Sequence, residues 1–347
     1  MVARQPGRDG EDPVEGLSRI EGRERQAEPH GLYGFRLQRD EPEGRPGRLR
    51  YGPAEAHLGS RQGSAEADAD ARRLDLHRRA LPAGPLVIEL DFVSHQFETP
   101  EGPIPALSGV SLDIGATEFV AVVGPSGCGK STLLRLIAGL VAPSAGSIRI
   151  KGEKVTKPTA DVGLVFQAPT LLPWANVLDN VLFPLRMLNE YGPQGEKRAR
   201  ELLALAGLSG FENRMPDELS GGMQQRVAIC RGLVRDPAVL LMDEPFAALD
   251  ALTRDEMGAL LLDLWAAKPK AIVFITHSVP EAVMLADRVI VMGARPGRIV
   301  DDVRIDLPRP RNFDMESRDE FQAATKRIRA HVYRGSRHAP PSATQAA

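Results

Sequence analysis

A glycine-rich segment that ends in a lysine, a serine and a threonine lies between an apolar run, Phe119–Val123, and a helical pattern. Its nine residues are Gly124, Pro125, Ser126, Gly127, Cys128, Gly129, Lys130, Ser131 and Thr132. A strand, a loop of this pattern and a helix form a phosphate-binding loop, because backbone N–H groups and the helix N-terminus converge on the phosphate. Lys130 is predicted to reach the β- and γ-phosphate oxygens, and Ser131 to offer its hydroxyl to Mg²⁺. A turn that merely joins a strand to a helix would not require these two residues.

Two adjacent carboxylates, Asp243 and Glu244, follow the apolar run Val239–Met242. Acids at the carboxyl end of a buried strand can divide two tasks: Asp243 would hold Mg²⁺ through water, and Glu244 would polarise the attacking water. Taken alone, such a run more often marks a strand that ends at a solvated edge. Its presence together with the phosphate-binding pattern predicts hydrolysis of a nucleoside triphosphate.

A third segment, between the other two, reads Leu-Ser-Gly-Gly-Met-Gln-Gln over residues 219–225. Its serine and glycines open the helical pattern Gly222–Arg235, and a helix N-terminus of this composition suits an anion. The segment is interpreted as a second phosphate site, with a simple helix cap as the alternative.

These segments need a sheet that brings their ends together. β-rich runs are predicted at Leu86–Val93, Val110–Ile114, Glu118–Val123, Ser147–Lys151, Val239–Met242, Ala271–Thr276 and Arg288–Met292. Helical patterns occur at Lys130–Leu140, Glu196–Gly207, Gly222–Arg235, Thr253–Ala267 and Ser317–Tyr333. The alternation of strands and helices predicts an α/β fold with a mainly parallel sheet. The helical stretch at about 168–236 interrupts the alternation and is interpreted as an inserted subdomain.

The composition excludes several classes of protein. The 347 residues carry 44 Lys and Arg against 46 Asp and Glu, so a net charge of −2 does not indicate nucleic acid as a partner. Two cysteines, Cys128 and Cys230, are too few for a disulfide framework and favour a reducing compartment. Apolar runs are short, whereas a spanning helix needs about 20 residues. The N-terminus lacks the apolar core of a signal peptide. The chain is therefore predicted to be neither secreted nor membrane-spanning.

The two ends of the chain differ from its centre. Residues 1–80 contain 15 Arg and 15 Asp or Glu, no Lys and few aromatic or β-branched residues. Such a segment cannot bury enough apolar surface to offset its ordering entropy, so residues 1–85 are predicted to be a disordered extension. A regulatory arm is the functional alternative. The segment 311–347 is predicted to form a C-terminal helix and a flexible tail.

Over residues 86–310, the three motifs and their order resemble those of the ATP-binding cassette ATPases, whose signature sequence corresponds to Leu219–Gln225. The resemblance implies a P-loop NTPase core, an antiparallel β subdomain and an inserted helical subdomain, with ATP and Mg²⁺ as cofactors. It also implies a dimer with a second copy, in which the signature residues of one subunit close on the γ-phosphate held by the other. The residues carried over for that contact are Ser220, Gly221, Gly222 and Gln224.

Four further residues take roles from the same resemblance. Gln167 would contact Mg²⁺ or the attacking water and report the nucleotide state to the helical insert, and His277 would contact the γ-phosphate. Asp250 would lie in the loop that crosses the dimer interface, and Phe97 would stack on adenine. Each has an alternative: an exposed polar residue for Gln167, a helix cap for Asp250, a strand-end histidine for His277 and a core aromatic for Phe97.

Four segments are similar to the importer ATPases of the nitrate, sulfonate and taurine group. They are residues 171–181 with Leu-Pro-Trp, 276–282 with Thr-His-Ser, 295–299 with Arg-Pro-Gly-Arg, and 306–311. This similarity implies import of a small anion or polar organic solute through a separate membrane permease. It also implies a periplasmic or extracellular solute-binding protein, and a peripheral location on the cytoplasmic face of the cell membrane. A soluble ATPase acting on nucleic acid or ribosomes is the alternative function, and no nucleic acid is expected as a partner.

Two residues in these segments have open interpretations. Trp174 is either an anchor for a permease loop or a core residue. The thiol of Cys128, beside Lys130 and a helix N-terminus, is hypothesised to have a lowered pKa and to block ATP binding when alkylated, with an inert small residue as the alternative.

Overall fold

The structure, a computed structural model, describes residues 84–336, and side chains as far as residue 333. The predicted extension over residues 1–85 falls almost entirely outside the described residues, as does the predicted tail beyond residue 336. The strands are β1 Leu86–Thr99, β2 Gly102–Gly115, β3 Phe119–Val123, β4 Ala145–Ile150, β5 Glu153–Lys154, β6 Val162–Val165, β7 Val239–Asp243, β8 Ala271–Ile275, β9 Arg288–Gly293 and β10 Arg298–Arg304. The helices are α1 Lys130–Ile137, α2 Val177–Met187, α3 Pro193–Leu205, α4 Gly221–Leu233, α5 Ala251–Ala267, α6 Val279–Leu285 and α7 Asp319–Ser336.

A six-stranded sheet in the order β10-β9-β3-β8-β7-β6 forms the centre. Strands β9, β3, β8, β7 and β6 run parallel, and the edge strand β10 is antiparallel to β9. All five residues of β3 are buried, because alternate side chains enter two different cores: Phe119 and Val123 face one, and Val120 and Val122 the other. Parallel strands align their carboxyl ends, so the residues that follow β3, β6, β7 and β8 meet at one edge of the sheet.

Two smaller units adjoin this sheet. A four-stranded antiparallel sheet has the order β2-β1-β4-β5. Helices α2, α3 and α4 share a separate apolar core that includes Val181, Leu203 and Val227. The predicted fold class, a mainly parallel α/β core with an antiparallel β subdomain and a helical insert, is confirmed.

The structure differs from the sequence prediction at several strands. β5, β6 and β10 are not among the predicted strands, and β1 and β2 are longer than the predicted runs Leu86–Val93 and Val110–Ile114. Packing also continues past residue 310, where the sequence places the end of the cassette, because Phe321 and Ile328 of α7 enter the same core as β3. Among residues 84–336, no helix combines the length and the hydropathy needed to cross a membrane.

A buried arginine, Arg311, joins the C-terminal segment to α6. Its guanidinium donates hydrogen bonds to the carbonyl oxygens of Val283, Met284, Ala286, Ile305 and Leu307. Burial lowers the pKa of Arg311 to about 10, so the side chain stays charged at neutral pH. Three of the five carbonyls lie at the end of α6, where helical carbonyls lack intrahelical donors, so the arginine caps that helix.

Replacing Arg311 by methionine is expected to lower the free energy of unfolding by about 3 kcal/mol, because several buried carbonyls lose their donors. Urea unfolding followed by circular dichroism measures this change. Arg304→Met is the matched control, since the Arg304 side chain is exposed and pairs with an exposed Asp306; about 0.5 kcal/mol or less is expected there. Equal losses in the two variants would contradict the capping role.

Candidate functional site

The phosphate-binding segment lies between β3 and α1, as the sequence predicts. Gly129 is the N-cap of α1 and has φ 91°, a left-handed conformation that favours glycine. At Gly124, a Cβ would lie 2.6 Å from the carbonyl oxygen of Met292, so only glycine allows the two backbones to approach so closely. The loop is therefore set between α1 and the end of β9.

Lys130 is buried, and its Nζ donates hydrogen bonds to the carbonyl oxygens of Gly124 (3.1 Å) and Pro125 (3.2 Å). The amine thus lies over the concave side of its own loop. Ser126 and Gly127 are exposed at the tip of the loop, and Thr132 lies in the first turn of α1.

The hydroxyl of Ser131 donates a hydrogen bond to Oδ1 of Asp243 over 3.0 Å, although the two residues are 112 positions apart in the chain. Burial raises the pKa of Asp243 above its ordinary value, and the hydrogen bond from Ser131 opposes that rise. The pair brings two oxygen donors together where α1 begins and β7 ends.

Glu244 has φ 46°, an uncommon conformation for a residue other than glycine, and it precedes Pro245. Its N–H donates to the carbonyl oxygen of Ile275 over 3.0 Å, which ties the residue to the end of β8. Strain of this kind persists where the surroundings over-determine the backbone, and it clusters at functional sites.

His277 follows β8 and lies next to Glu244, with 3.4 Å between its Nδ1 and Oε2 of the glutamate. Thr276 forms a hydrogen bond with Glu281, and the Ser278 hydroxyl caps the N-terminus of α6. Glu244 and His277 line a small cleft together with Phe246, Ala247, Arg254, Thr276, Ser278 and Glu281. In this cleft, the carboxylate of Glu244 and the imidazole of His277 can both contact the same small polar group.

Gln167 lies two residues beyond β6, which pairs in parallel with β7, so it belongs to the same edge of the sheet as Asp243. The preceding carbonyl, that of Phe166, accepts a hydrogen bond from the buried side chain of Gln225 over 3.3 Å. Helix α4, which follows the signature serine, thereby holds the segment that carries Gln167. The role of Gln167 stays a prediction.

The signature residues occupy the start of α4. Ser220 is its N-cap and accepts a hydrogen bond from Met223 N–H over 3.3 Å. Gly221 is open, whereas a Cβ at Gly222 would meet Thr253. The side chain of Gln224 donates to the carbonyl oxygens of Pro216 and Leu219, and its contact with a nucleotide stays a prediction. Within residues 84–336, no hydrogen bond or ion pair joins this segment to the phosphate-binding loop.

Asp250 is the N-cap of α5, where Oδ1 accepts from Thr253 N–H over 3.0 Å. The hydrogen bonds from Thr253 lower the pKa of Asp250.

Phe97 lies on β1 and is 41% exposed, so it is not a core aromatic.

Trp174 is 76% exposed, which removes the interpretation as a core residue. The loop that carries it is held by Asn180, a buried residue of α2 that sequence reasoning did not single out. Its side chain accepts from Leu172 N–H (2.7 Å) and donates to the carbonyl oxygens of Leu172, Ala175 and Asn176. A lone asparagine on the apolar side of a helix was the only sign of this role in the sequence.

The hypothesis about Cys128 is wrong in its direction. Cys128 is fully buried, and burial raises the pKa of its thiol; Lys130 opposes this rise only in part. Cys128 therefore stays a protonated, inaccessible thiol at neutral pH. The alternative interpretation, an inert small residue, fits the structure.

Comparison with known proteins places this site in a family. Residues 107–247 match the family model described as ABC transporter. An uncharacterised ABC transporter ATP-binding protein of Methanocaldococcus jannaschii is 48% identical over 225 residues, which are 65% of this chain and 84% of that protein. The taurine import ATP-binding protein TauB of Burkholderia thailandensis is 49% identical over 217 residues, 62% and 84% of the two chains. The aliphatic sulfonates import ATP-binding protein SsuB of Bacillus cereus is 41% identical over 250 residues, 72% and 97%.

Solved structures agree with these relatives. A dimeric ATP-binding cassette in a post-hydrolysis state, bound to ADP and Pi, has a TM-score of 0.56 and 35% identity, and the match covers 64% of this chain and all of that one. The cbiO1 protein of Clostridium perfringens, part of an ABC transporter complex, has a TM-score of 0.58 and 26% identity over 72% and 98% of the two chains. This chain therefore belongs to the ATP-binding proteins of the ABC transporter family and is a nucleotide-binding ATPase.

Proposed function

We propose that this ATPase powers import of taurine or a similar sulfonate anion through a separate membrane permease. ATP hydrolysis is supported by one arrangement: the pairs Ser131–Asp243 and Glu244–His277 lie at the carboxyl edge of neighbouring parallel strands. The identity to the TauB and SsuB proteins supports the direction of transport and the class of solute.

The proposed site holds the triphosphate by its loop. Lys130 exchanges its contacts with Gly124 and Pro125 for phosphate oxygens, and the N–H groups at the start of α1 donate to the same phosphates. Ser131 and Asp243 fit Mg²⁺, because a hydroxyl and a carboxylate 3.0 Å apart are the hard oxygen donors that this ion takes along with phosphate and water. Mg²⁺ held there would supply positive charge to neutralise the phosphates.

Hydrolysis then requires a base and an orienting group. The carboxylate of Glu244 accepts one proton of the attacking water, while the ring of His277, whose Nδ1 lies 3.4 Å from Oε2 of that carboxylate, contacts the γ-phosphate. The tie between Glu244 N–H and Ile275 keeps the base in place. The chain contributes mostly positioning and charge, as phosphoryl transfer demands.

A second copy of the chain completes the proposed site. Ser220 and Gly221 form an anion-binding helix N-terminus that is not bonded to the loop of its own chain, so it is free to close on a nucleotide held by a partner subunit. Asp250 lies near this helix N-terminus, because its hydrogen-bond partner Thr253 packs against Gly222. Gln167 reports the nucleotide state to the helical insert through α4 in this arrangement.

The exposed loop at Trp174 is the proposed contact with the permease. An exposed indole on a rigid loop suits an interface anchor. Hydrogen bonds from Asn180 already order the loop in the free chain, so binding loses little conformational entropy there. Binding there places the ATPase on the cytoplasmic face of the membrane, and a solute-binding protein on the opposite face delivers the anion.

Uptake of radiolabelled taurine into cells of the source organism tests this function. A strain lacking the gene receives the wild-type chain, Glu244→Gln, or the exposed-site control Glu256→Gln. Wild type and the control are expected to restore uptake, and Glu244→Gln to leave it at least about 10-fold lower. Sulfate uptake serves as the internal reference.

Two results would contradict the proposal. Unchanged uptake of taurine and ethanesulfonate in the deletion strain would exclude this class of solute. Phosphate release by the purified chain that rises with RNA or ribosomes, and falls steeply with salt, would favour the soluble, non-transport ATPase.

A further inference from the structure

A buried histidine, His95, lies on β1 and has no hydrogen-bond partner among residues 84–336. It is 8% exposed, and both its ring nitrogens are buried and unpaired among the described residues. Nearly all buried polar groups in proteins are paired, because an unpaired one loses its water without compensation. Because an aliphatic side chain would avoid this loss of hydration, we look for a contact that requires the imidazole ring.

The one ring contact of His95 in the described part of the chain is with Phe97. The two ring centroids are 4.7 Å apart and the ring planes meet at 87°. In this edge-to-face arrangement, the positive edge of one ring meets the negative face of the other, which favours a single orientation. The buried imidazole thus braces a phenyl ring that is itself 41% exposed.

The pair lies close to the phosphate-binding loop. His95 is opposite Leu107 in the register of β1 and β2, and a Cβ at Gly129 would lie 2.6 Å from Leu107 Cδ2. Phe97 is two residues further along β1. The exposed ring of Phe97 thus lies two residues along β1 from His95, whose strand partner Leu107 packs against the phosphate-binding loop.

The strand that carries the two rings is itself fixed. Gln96 N–H donates to the Ser144 hydroxyl over 3.2 Å, and Ser144 N–H donates to the carbonyl oxygen of Ser94 over 2.9 Å. The backbone on both sides of His95 is therefore anchored, so the orientation of the Phe97 ring is decided by its side-chain contacts. His95 also belongs to no group of three or more metal-ligating side chains within residues 84–336.

We propose that His95 is a positioning residue that holds the Phe97 ring ready to stack on the nucleotide base. The proposal rests on the nucleotide site proposed above. His95 acts on the base through Phe97 alone and has no contact with the phosphates. Its removal should therefore weaken binding of ligands that carry a base and leave binding of bare phosphates unchanged.

Isothermal titration of the full chain with ATP and with inorganic tripolyphosphate separates these two effects. His95→Ala is expected to weaken ATP binding about 3- to 10-fold, the value of an aromatic pair, and to leave tripolyphosphate unchanged. Phe97→Ala is expected to weaken ATP binding about 10- to 100-fold. The double variant should equal Phe97→Ala alone, and His95→Phe, which keeps an aromatic ring, should bind ATP within about 2-fold of wild type.

Several results would overturn the proposal. They are an unchanged ATP affinity in His95→Ala, an equal loss for ATP and tripolyphosphate, an unchanged ATP affinity in Phe97→Ala, and a double variant weaker than Phe97→Ala by the full His95→Ala factor. If the wild-type chain binds neither ligand, the nucleotide site itself is refuted, a result that is distinct from all four.

Discussion

Glu244→Gln is expected to lower steady-state ATP hydrolysis at least about 100-fold while leaving ATP affinity within about 2-fold of wild type. Glutamine has nearly the same size, and the bond from residue 244 N–H to the carbonyl of Ile275 is a backbone bond that the change preserves. The amide cannot accept the proton of the attacking water, so binding is retained and turnover is lost. The variant should also accumulate as an ATP-bound dimer, because hydrolysis no longer reopens it.

Phosphate release gives the turnover of Glu244→Gln, titration calorimetry its affinity, and size-exclusion chromatography with ATP its dimer content. Glu256→Gln is the matched control, because that carboxylate is exposed on α5 and pairs with Arg226. Normal hydrolysis by Glu244→Gln would refute the assignment of the base. Loss of both hydrolysis and ATP binding would assign the residue to the binding of ATP instead.

Lys130→Ala is expected to weaken ATP binding at least about 100-fold. Hydrogen bonds from a charged donor contribute about 1.5–3 kcal/mol each, and the amine can serve two phosphate oxygens in place of its two loop carbonyls. A loss of about 3 kcal/mol or more corresponds to a factor above about 100. The affinity for AMP, which lacks the β- and γ-phosphates, should change little.

Titration calorimetry with ATP and AMP measures both affinities for Lys130→Ala. Lys197→Ala is the control, since Lys197 is an exposed residue of α3 in a surface pair with Glu201. Urea unfolding verifies that the variant is folded. An ATP affinity within about 3-fold of wild type would contradict the role of Lys130, and an equal loss for AMP would indicate a disturbed loop in place of a lost phosphate contact.

Elements with a complete local pattern could be predicted from the sequence. The run Phe119–Val123 forms β3 at its predicted position, because it is uniformly apolar and ends at a glycine. The sequence does not predict β6, because this strand has only four residues, one of them Gly163, and is stabilised by pairing with β7. In β10, charged residues such as Asp301 and Asp302 hid the strand, because an edge strand paired only with β9 tolerates them.

Site residues divide in the same way. The sequence named Glu244 and His277 through their motifs, whereas their 3.4 Å approach depends on β7 and β8 being neighbours in the sheet. It did not reveal that Asn180 holds the loop of Trp174, because one asparagine in a helix has no distinctive spacing. Local charge predicts a lowered pKa for the thiol of Cys128, whereas burial in a core shared with residues of β1 and β2 raises it.

The sequence by itself determined the phosphate-binding loop, the acidic pair and the signature serine, because each is a contiguous motif whose chemistry follows from neighbouring residues. Only the tertiary structure decided that Ser131 meets Asp243 across 112 residues, and that His95 is buried against Phe97. The physical reason is that contacts of this kind depend on strand order and register, which long-range packing of apolar side chains selects and no local spacing encodes.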